Sequence, residues 1–579
     1  MSKLSPAALQ ARVIVDELIR NGVREAVLCP GSRSSALAFA LQLADAAGRL
    51  TLHVRIDERS AGFLALGLAG ETDRPVVVVC TSGSAVANLH PAAVEARYNH
   101  RRVVFLTANR PPEMQGVGAQ QTINQQGIFA HDVVDFLSLP VIPADCAAAR
   151  TDADPGSATA LNAQLRSATA LNAQLRSALC RIMLRSTLAH GPIHIDAPFR
   201  EPLVSPADVV DTHLPAEWEG RPHQQPWTVY DSAPVLDLTL RTLVIAGQSS
   251  WEMPELAGIP TLCEPGGRTA GMVINPLALP QLTPEQVVVV GKPTLHRSVT
   301  ALLARTDIPQ LVLAPHYAVA DWADVPGNAH TVASTLSTTG QTPAEWFDEC
   351  AAAHHAATQH CRSILDNLRT ESVPSGLLVA EVVGDVLEHN PTMMGFIGSS
   401  NPVRDLAITH PAVANQCVVN RGASGIDGNI ATAVGIALRH PHPVIALLGD
   451  LASIHDMGSL LVPTMEERPH SLTIVVANDH GGGIFATLEP GQAAYRDDFE
   501  RVFGTPHAVD FSALAAAMGA EYLQCELAQL AAALTEPAPA PGGVRLLEVA
   551  TSRTDRHALS QHLAAVPPAA SSAEGDGRW

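Results

Sequence analysis

The sequence PVIALLGD (443–450) is followed, after a short helical pattern, by LTIVVAND (472–479). Each run is an apolar segment of strand length that ends in polar residues, and SIHDMGSLL (453–461) between them fits a crossover helix. Strands joined by such a helix pair in parallel, with their carboxyl ends at one edge of the sheet. We therefore expect Asp450 and Asn478 to face each other at that edge, where α/β proteins bind ligands.

The same alternation of β-rich runs and helical patterns occurs in two earlier parts of the chain. Examples are EAVLCP (25–30), PVVVVCTSG (75–83) and RVVFLTANRP (102–111), then RTLVIAG (241–247), QVVVVGKPT (286–294) and PQLVLAP (309–315). The sequence therefore predicts an α/β fold of three doubly wound parallel-sheet domains. We place them at residues 1–200, 201–360 and 361–565, followed by a disordered tail at 566–579.

Composition excludes several classes of protein. The chain has 579 residues, 46% of them hydrophobic, which is enough for several buried cores. A net charge of −20 argues against a basic surface for nucleic acid. The nine cysteines form no C-x-x-C pair, and no segment has the ~18 apolar residues of a membrane span. We expect a cytoplasmic protein that binds no nucleic acid and does not span a membrane.

A tandem duplication interrupts the first predicted domain. Residues 157–166 (SATALNAQLR) recur without change as residues 167–176. Ten residues are not a whole number of helical turns, so the copy rotates an amphipathic stripe unless a helix end absorbs it. We expect a lengthened helix or loop with no function of its own.

Asp450 and Asn478 provide the ligand types that Mg²⁺ prefers. A carboxylate, an amide oxygen and a nearby main-chain carbonyl are hard oxygen donors, and Gly481, Gly482 and Gly483 allow a diphosphate to approach the backbone. Two other interpretations remain open. Strand-end Asp and Asn also serve as caps of the following segments. The run 481–486 also fits G-x-G-x-x-A, the dinucleotide fingerprint of a nicotinamide oxidoreductase.

The Gly-Asp at 449–450 and the later Asn478 resemble the metal motif of the thiamine-diphosphate-dependent enzymes. Further runs resemble one branch of that family, which acts in menaquinone biosynthesis. They are PGSRSS (30–35), the segment 57–70, LTANRPPE (106–113), NRGASGIDG (420–428) and NDHGGGIF (478–485). The resemblance implies thiamine diphosphate and Mg²⁺ as cofactors, with Mn²⁺ as the alternative ion, and a three-domain fold of this enzyme type.

The resemblance also implies a reaction. In that branch, 2-oxoglutarate is decarboxylated and the resulting succinyl-semialdehyde carbanion is added to isochorismate, so the chain is expected to be a transferase. The alternatives are another thiamine-diphosphate 2-oxo acid carboligase or decarboxylase, and a degenerate member that only binds a partner. The family places the active site between subunits, which implies a homodimer or homotetramer.

Site residues follow from the motif positions. Glu58 is implied to hydrogen-bond the aminopyrimidine ring, although a carboxylate there also suits a helix N-terminus. Ile426 is implied to support the bent cofactor, which makes Glu58 and Ile426 the catalytic pair. The resemblance implies Asp450, Asn478 and the main-chain carbonyl of His480 as the metal ligands. The implied cofactor-binding residues are Glu58, Ser400, Gly425, Ile426, Asp450, Leu451, Asn478 and Gly481.

The implied substrates carry several carboxylates, for which arginine side chains are the usual partners. The resemblance assigns substrate binding to Ser32, Arg33, Arg110, Gln121, Arg297, Ser400, Arg404 and Arg421, with an apolar wall of Ile484, Phe485 and Leu488. His296, beside Arg297, is either a second cationic contact or lies outside the site.

Overall fold

The computed structural model describes residues 4–72, 74–143, 158–206, 208, 213–314, 322–463, 465–536, 543–554 and 556–568. Residues 569–579 of the predicted tail and Ser157 of the duplication lie outside this range. The chain divides into two compact units, Met1–Pro234 with Leu303–Thr335, and Val235–Leu302 with Leu336–Trp579.

The strands of the described residues are, in chain order, β1 Glu25–Leu28, β2 Thr51–Val54, β3 Val76–Cys80, β4 Val103–Asn109, β5 Asp135–Ser138, β6 Ile193–Pro198, β7 Val229–Tyr230, β8 Val235–Asp237, β9 Thr242–Ala246, β10 Pro260–Cys263, β11 Met272–Val273, β12 Gln286–Val290, β13 Gln310–Leu313, β14 Thr331–Ala333, β15 Ser337–Thr339, β16 Met394–Ile397, β17 Cys417–Val418, β18 Val444–Gly449, β19 Leu472–Asn478, β20 Glu521–Gln524 and β21 Val544–Ala550.

The α-helices span Pro6–Arg20, Ser35–Ala46, Glu58–Thr72, Ser84–Asn88, His90–Tyr98, Ala158–Ala189, Arg297–Leu303, Ala344–Thr370, Gly376–His389, Asn401–Thr409, Asn429–Ala437, Asp450–Asp456, Arg496–Phe499, Phe511–Met518, Leu527–Thr535 and Arg556–Ala564. No helix of the described residues is both long and apolar enough to cross a membrane.

The first unit is built on a six-stranded sheet in the order β2-β1-β3-β4-β6-β5. Each neighbouring pair in it is parallel. Strands β3 and β4 are buried along their whole length, as expected for apolar runs covered on both faces. One core cluster includes the helices Pro6–Arg20 and Ser35–Ala46, and another includes His90–Tyr98. The unit also contains the parallel strands β13, β14 and β7.

The second unit contains a six-stranded sheet in the order β17-β16-β18-β19-β21-β20, again parallel in each pair. It also contains the parallel strands β11, β10, β9 and β12, and the parallel pair β15 and β8. The predicted class, α/β with parallel sheets, is therefore confirmed. The predicted boundaries at residues 200, 360 and 565 stay predictions.

In both six-stranded sheets the strand order reverses beside the strand that comes first in the chain. The reversal lies between β1 and β3 in the first unit and between β16 and β18 in the second. Crevices for ligands open at the carboxyl ends of strands at such a reversal. We therefore expect ligand-binding residues directly after β1, β3, β16 and β18.

The described residues of the duplication, 158–176, fall within the helix Ala158–Ala189, so the structure shows the predicted lengthened helix over them. In the second copy, Arg176 is fully buried. Its Nη1 donates to Glu17 at 2.7 Å and to Asp16 at 2.8 Å, and its Nη2 donates to the Trp218 carbonyl at 2.9 Å. The second copy is thus anchored to the helix Pro6–Arg20.

Replacing Arg176 by leucine is expected to destabilise the protein by about 3–5 kcal/mol, because it leaves the buried Glu17 carboxylate without its cation. Chemical denaturation monitored by circular dichroism measures the loss. Arg185→Leu on the same helix is the matched control: its ion pair with Asp135 is partly exposed to solvent, so it should cost about 0–1 kcal/mol. Equal losses of stability in the two variants would contradict the role of Arg176 as a buried anchor of this helix.

Candidate active site

The residues implied by the resemblance form two groups, one in each unit. The first-unit group is Ser32, Arg33, Glu58, Arg110 and Gln121. The second-unit group is Arg297, Ser400, Arg404, Arg421, Gly425, Ile426, Asp450, Leu451, Asn478, His480, Gly481, Ile484, Phe485 and Leu488. In each sheet, residues of these groups follow the strands at the reversal of strand order, for example Arg33 after β1 and Asp450 after β18.

Asp450 and Asn478 lie at the carboxyl ends of adjacent strands, as predicted. Gly449, the last residue of β18, is level with Ala477 in β19. Asp450 is almost fully buried, and its Oδ2 accepts a hydrogen bond from the Gly481 amide at 2.7 Å. Asn478 Oδ1 accepts from the His480 amide at 3.0 Å. The 478–481 loop is therefore joined to the Asp450 carboxylate through the Gly481 amide.

These oxygen atoms fit a hard divalent cation. Each carboxylate or amide oxygen that accepts one amide hydrogen keeps further acceptor capacity, and the main-chain carbonyl of His480 lies on the same loop. His480 has a φ of 57°, a left-handed conformation that is uncommon outside glycine. Asp450 and Asn478 accept hydrogen bonds from two amides of this loop, so the residues of the predicted donor set are neighbours.

Asn478 is oriented by a residue that the sequence did not indicate. Its Nδ2 donates to Glu548 Oε1 at 2.7 Å, and Glu548 Oε2 accepts from the Tyr522 hydroxyl at 2.8 Å. The Asn478 Oδ1 is therefore the atom turned away from Glu548. A single carboxylate within the apolar strand β21 is the signal that could have revealed Glu548.

A cavity of about 180 Å³ lies beside this carboxyl edge. It is lined by Ser400, Ile426, Asp450, Leu451, Gly481, Ile484 and Phe485, among others. Ile426 is 39% exposed, which excludes an ordinary core role and agrees with its predicted place beside a ligand. Leu488 comes just after the 3₁₀ turn Gly483–Thr487 that carries Ile484 and Phe485.

The glycines beside the cavity are required by close backbone contacts. A Cβ on Gly481 would lie 2.1 Å from the Gly504 carbonyl oxygen, and one on Gly482 would lie 2.3 Å from that of Phe503. The segment after them forms short 3₁₀ turns at 483–487 and 489–491. A dinucleotide fingerprint needs an α-helix at that point, so the geometry disfavours the oxidoreductase alternative.

Asp479 faces the same cavity. Burial and the neighbouring Asp450 raise the pKa of Asp479 to about 7.

His507 also contacts the metal-motif carboxylate, with Nε2 3.0 Å from Asp450 Oδ2. Nothing near His507 in the sequence indicates this contact, because it depends on the loop that returns to the sheet edge.

In the second unit, Arg404 and Arg421 lie close enough for their positive charges to repel each other. Burial, followed by repulsion from Arg421, lowers the pKa of Arg404, and burial lowers that of Arg421. Burial and these two guanidinium groups lower the pKa of His296 to about 3. His296 is therefore neutral near pH 7 and is not a second cation. Arg297 is solvent-exposed.

Glu58 begins the helix Glu58–Thr72 in the first unit. The preceding strand ends at Val54, and Asp57 accepts hydrogen bonds from the Ser60 amide and hydroxyl. Burial, followed by the Glu58 carboxylate, raises the pKa of the Cys29 thiol to about 12. Glu58 thus lies near the end of β1, at the predicted ligand edge.

Arg110 and Gln121 are brought together by Ser82, which follows β3. The fully buried Ser82 hydroxyl accepts from Arg110 Nη1 at 2.7 Å and donates to the Gln121 carbonyl at 2.9 Å. Burial and the nearby Arg110 lower the pKa of Arg33, which is itself buried. Ser32 is exposed beside Arg33. The four predicted substrate residues of this unit therefore share one edge.

Comparisons with known proteins agree with this geometry. Residues 10–128 match the N-terminal TPP binding domain of thiamine pyrophosphate enzymes, and residues 405–549 match the C-terminal TPP binding domain. The 2-succinyl-5-enolpyruvyl-6-hydroxy-3-cyclohexene-1-carboxylate synthase of Nocardia farcinica is 45% identical over 96% of this chain and 98% of its own length. Proteins of the same name from Rhodococcus erythropolis and Mycolicibacterium vanbaalenii are 45% and 44% identical, over 95% and 96% of this chain and 98% of their own lengths. The chain therefore belongs to the 2-succinyl-5-enolpyruvyl-6-hydroxy-3-cyclohexene-1-carboxylate synthase family of thiamine pyrophosphate enzymes.

Proposed function

We propose that this protein decarboxylates 2-oxoglutarate and adds the resulting four-carbon unit to isochorismate. The product is 2-succinyl-5-enolpyruvyl-6-hydroxy-3-cyclohexene-1-carboxylate, an intermediate of menaquinone biosynthesis. The observation that carries the proposal is the similarity, over nearly the whole chain, to enzymes named for that product. This similarity favours it over another thiamine-diphosphate carboligase or decarboxylase.

The cofactors of this proposal are thiamine diphosphate and Mg²⁺, with Mn²⁺ as the alternative ion. Asp450, Asn478 and the His480 carbonyl would hold the cation, and the backbone at Gly481 and Leu451 would lie against the diphosphate. Bound thiamine diphosphate supplies a nucleophilic carbon and an acceptor for the electron pair left by departing carbon dioxide. Gly425 and Ser400 complete the cofactor-binding set.

The protein's own residues have two tasks in this proposal. Glu58 holds a proton at the aminopyrimidine ring nitrogen, which requires a group that can both donate and accept it. Ile426 presents an apolar side chain to the cavity and restricts the conformation of the bound cofactor. Together, Glu58 and Ile426 would favour a protonation state and a conformation of the cofactor that are rare in water.

Substrate recognition is assigned to the two arginine groups. Arg33 and Arg110, with Ser32 and Gln121, provide one set of donors, and Arg404 and Arg421, with Arg297 and Ser400, provide the other. Two carboxylate-rich substrates need several cations in a site that excludes water. Ile484, Phe485 and Leu488 supply the apolar wall for the ring of isochorismate.

We further propose that the protein is a homodimer or homotetramer in which Glu58 of one protomer serves the cofactor of its partner. Exposed apolar side chains close to Glu58 in the sequence support this proposal: Ile56 is 92% exposed and Val54 is 52% exposed. Exposed apolar side chains grouped in this way are typical of protein interfaces.

The cytoplasm is the proposed compartment, since the eight cysteines of the described residues are buried and unpaired.

Incubation of the protein with 2-oxoglutarate, isochorismate, thiamine diphosphate and Mg²⁺ is expected to yield the named product, detected by mass spectrometry. Removal of Mg²⁺ with a chelator should abolish the yield, because the cation that Asp450, Asn478 and the His480 carbonyl would hold would no longer help to bind the diphosphate. Replacement of 2-oxoglutarate by pyruvate is the matched control for the donor. Efficient product formation from pyruvate, with none from 2-oxoglutarate, would instead support the alternative carboligase.

A further inference from the structure

A buried carboxylate with no assigned role follows the strand β10. Glu264 is only 1% exposed. Burial raises its pKa, while the amides of Thr294 and Leu295 and the positive charges of Arg421 and Arg404 act in the opposite direction. A carboxylate is costly to bury, so its contacts indicate what it does.

Glu264 holds the turn that follows β12. Its Oε1 accepts from the Leu295 amide at 2.8 Å, and its Oε2 accepts from the Thr294 amide at 3.0 Å. At the start of the same turn, Gln248 and Lys292 exchange two main-chain hydrogen bonds in an isolated antiparallel bridge. Residues 292–295, named here the 292–295 turn, are thus fixed at both ends.

The 292–295 turn in turn fixes Arg421. The Thr294 hydroxyl accepts from Arg421 Nε at 2.8 Å, and the Thr294 carbonyl accepts from Arg421 Nη2 at 2.8 Å. Two parallel contacts to one residue determine the plane of a guanidinium group. The remaining nitrogen, Nη1, is buried and has no hydrogen-bond partner among the described residues.

A second unpartnered nitrogen lies next to the turn. His296 directly follows Leu295, and its Nε2 is also buried without a partner among the described residues. Buried polar groups in native proteins nearly always have a hydrogen-bond partner, so both nitrogens are available to a ligand or to water. Arg421 carries a positive charge, so the matching ligand group is an anion with oxygen acceptors.

We propose that Glu264 is a positioning residue for recognition of a substrate carboxylate: through the 292–295 turn and Thr294, it aims Arg421 Nη1 at that carboxylate. This inference rests on the proposed function and specifies the contact by which one acidic substrate is held. Glu264 itself does not touch the substrate. Its negative charge also offsets the repulsion between Arg404 and Arg421, which a neutral acceptor would not do.

The test compares Thr294→Val, Thr294→Ser and Glu264→Gln in the full-length protein with both cofactors. Valine keeps the shape of Thr294 but removes the hydroxyl that holds Arg421 Nε. We expect Thr294→Val to raise the KM for one of the two substrates, isochorismate or the oxo acid donor, by about tenfold, with kcat within about threefold of wild type. Thr294→Ser restores the hydroxyl and should restore KM.

Glu264→Gln should raise the KM for the same substrate. The double variant Glu264→Gln with Thr294→Val should raise KM by less than the product of the two single effects, because both residues position the same Arg421 side chain. The exposed Thr300 on the following helix provides a matched control, and Thr300→Val should leave KM unchanged. A purely structural role predicts a lower melting temperature and unchanged KM in the active fraction, which would overturn the inference.

The proposed function and this inference fail in different ways. If the wild type makes no product, the proposed function is wrong, and calorimetric titration with isochorismate and with 2-oxoglutarate then decides the inference through the ratio of variant to wild-type Kd. A tenfold weaker affinity for one substrate in Thr294→Val supports the inference, whereas equal affinities for both, or no binding to the wild type, overturn it. An active wild type with normal KM values in all three variants overturns it directly.

Discussion

Glu58→Gln is expected to lower kcat by about 10²–10⁴-fold, the range that a positioned general acid or base contributes. The amide has nearly the same shape as the carboxyl group but cannot pass a proton to and from a ring nitrogen. Glu58 lies in the first turn of its helix beside the Cys29 thiol, so the substitution changes little packing. Steady-state product formation at saturating cofactor measures kcat, and circular dichroism checks the fold.

The matched control for Glu58 is Glu95→Gln, the same chemical change at an exposed position of the helix His90–Tyr98. It should leave kcat within about twofold of wild type, since a surface substitution of this kind alters stability by only about 0.5 kcal/mol. Full activity of Glu58→Gln would instead assign Glu58 to stabilisation of its helix N-terminus, the alternative that the sequence left open.

Asp450→Asn is expected to weaken Mg²⁺-dependent binding of thiamine diphosphate by about 100-fold or more. Loss of a residue that merely orients a metal ligand costs about 10–100-fold in affinity, and loss of a charged ligand should cost at least as much. Asparagine keeps one oxygen that can accept from the Gly481 amide, which Asp450 Oδ2 binds at 2.7 Å, so this contact to the loop is retained. Isothermal titration with thiamine diphosphate at fixed Mg²⁺ measures the affinity.

Asp510→Asn provides the comparison for Asp450. Asp510 caps the helix Phe511–Met518 by accepting from the Ala513 amide at 3.0 Å, and asparagine caps helices equally well. Its cofactor affinity should therefore match that of the wild type. Tight binding of thiamine diphosphate by Asp450→Asn in the presence of Mg²⁺ would refute the metal site.

The sheet edge could be predicted from the sequence because its determinants are local. The runs at 443–450 and 472–479 are β-rich, and the segment between them is too long for a hairpin, which leaves a parallel crossover. Parallel pairing then fixes which ends meet, and the structure places Gly449 level with Ala477. The proximity of Asp450 and Asn478 follows from connectivity alone.

The residues that support the site could not be predicted, because their contacts join distant parts of the chain. Thr294 binds Arg421, which is 127 residues later, and Glu548 binds Asn478, which is 70 residues earlier. A sequence pattern shows which residues are polar, but not which polar atoms meet after folding. The charge of His296 is a similar case, because burial and two neighbouring arginines determine it.

The anchored second copy of SATALNAQLR has a consequence for how the length of this chain can change. Because the two copies are identical, deleting either one gives the same sequence, and the copy that remains supplies the same arginine to Glu17. Ten residues can therefore be gained or lost at the amino-terminal end of this helix while its carboxyl-terminal turns keep their register. A variant with a single copy would keep the buried arginine contacts to Asp16, Glu17 and the Trp218 carbonyl.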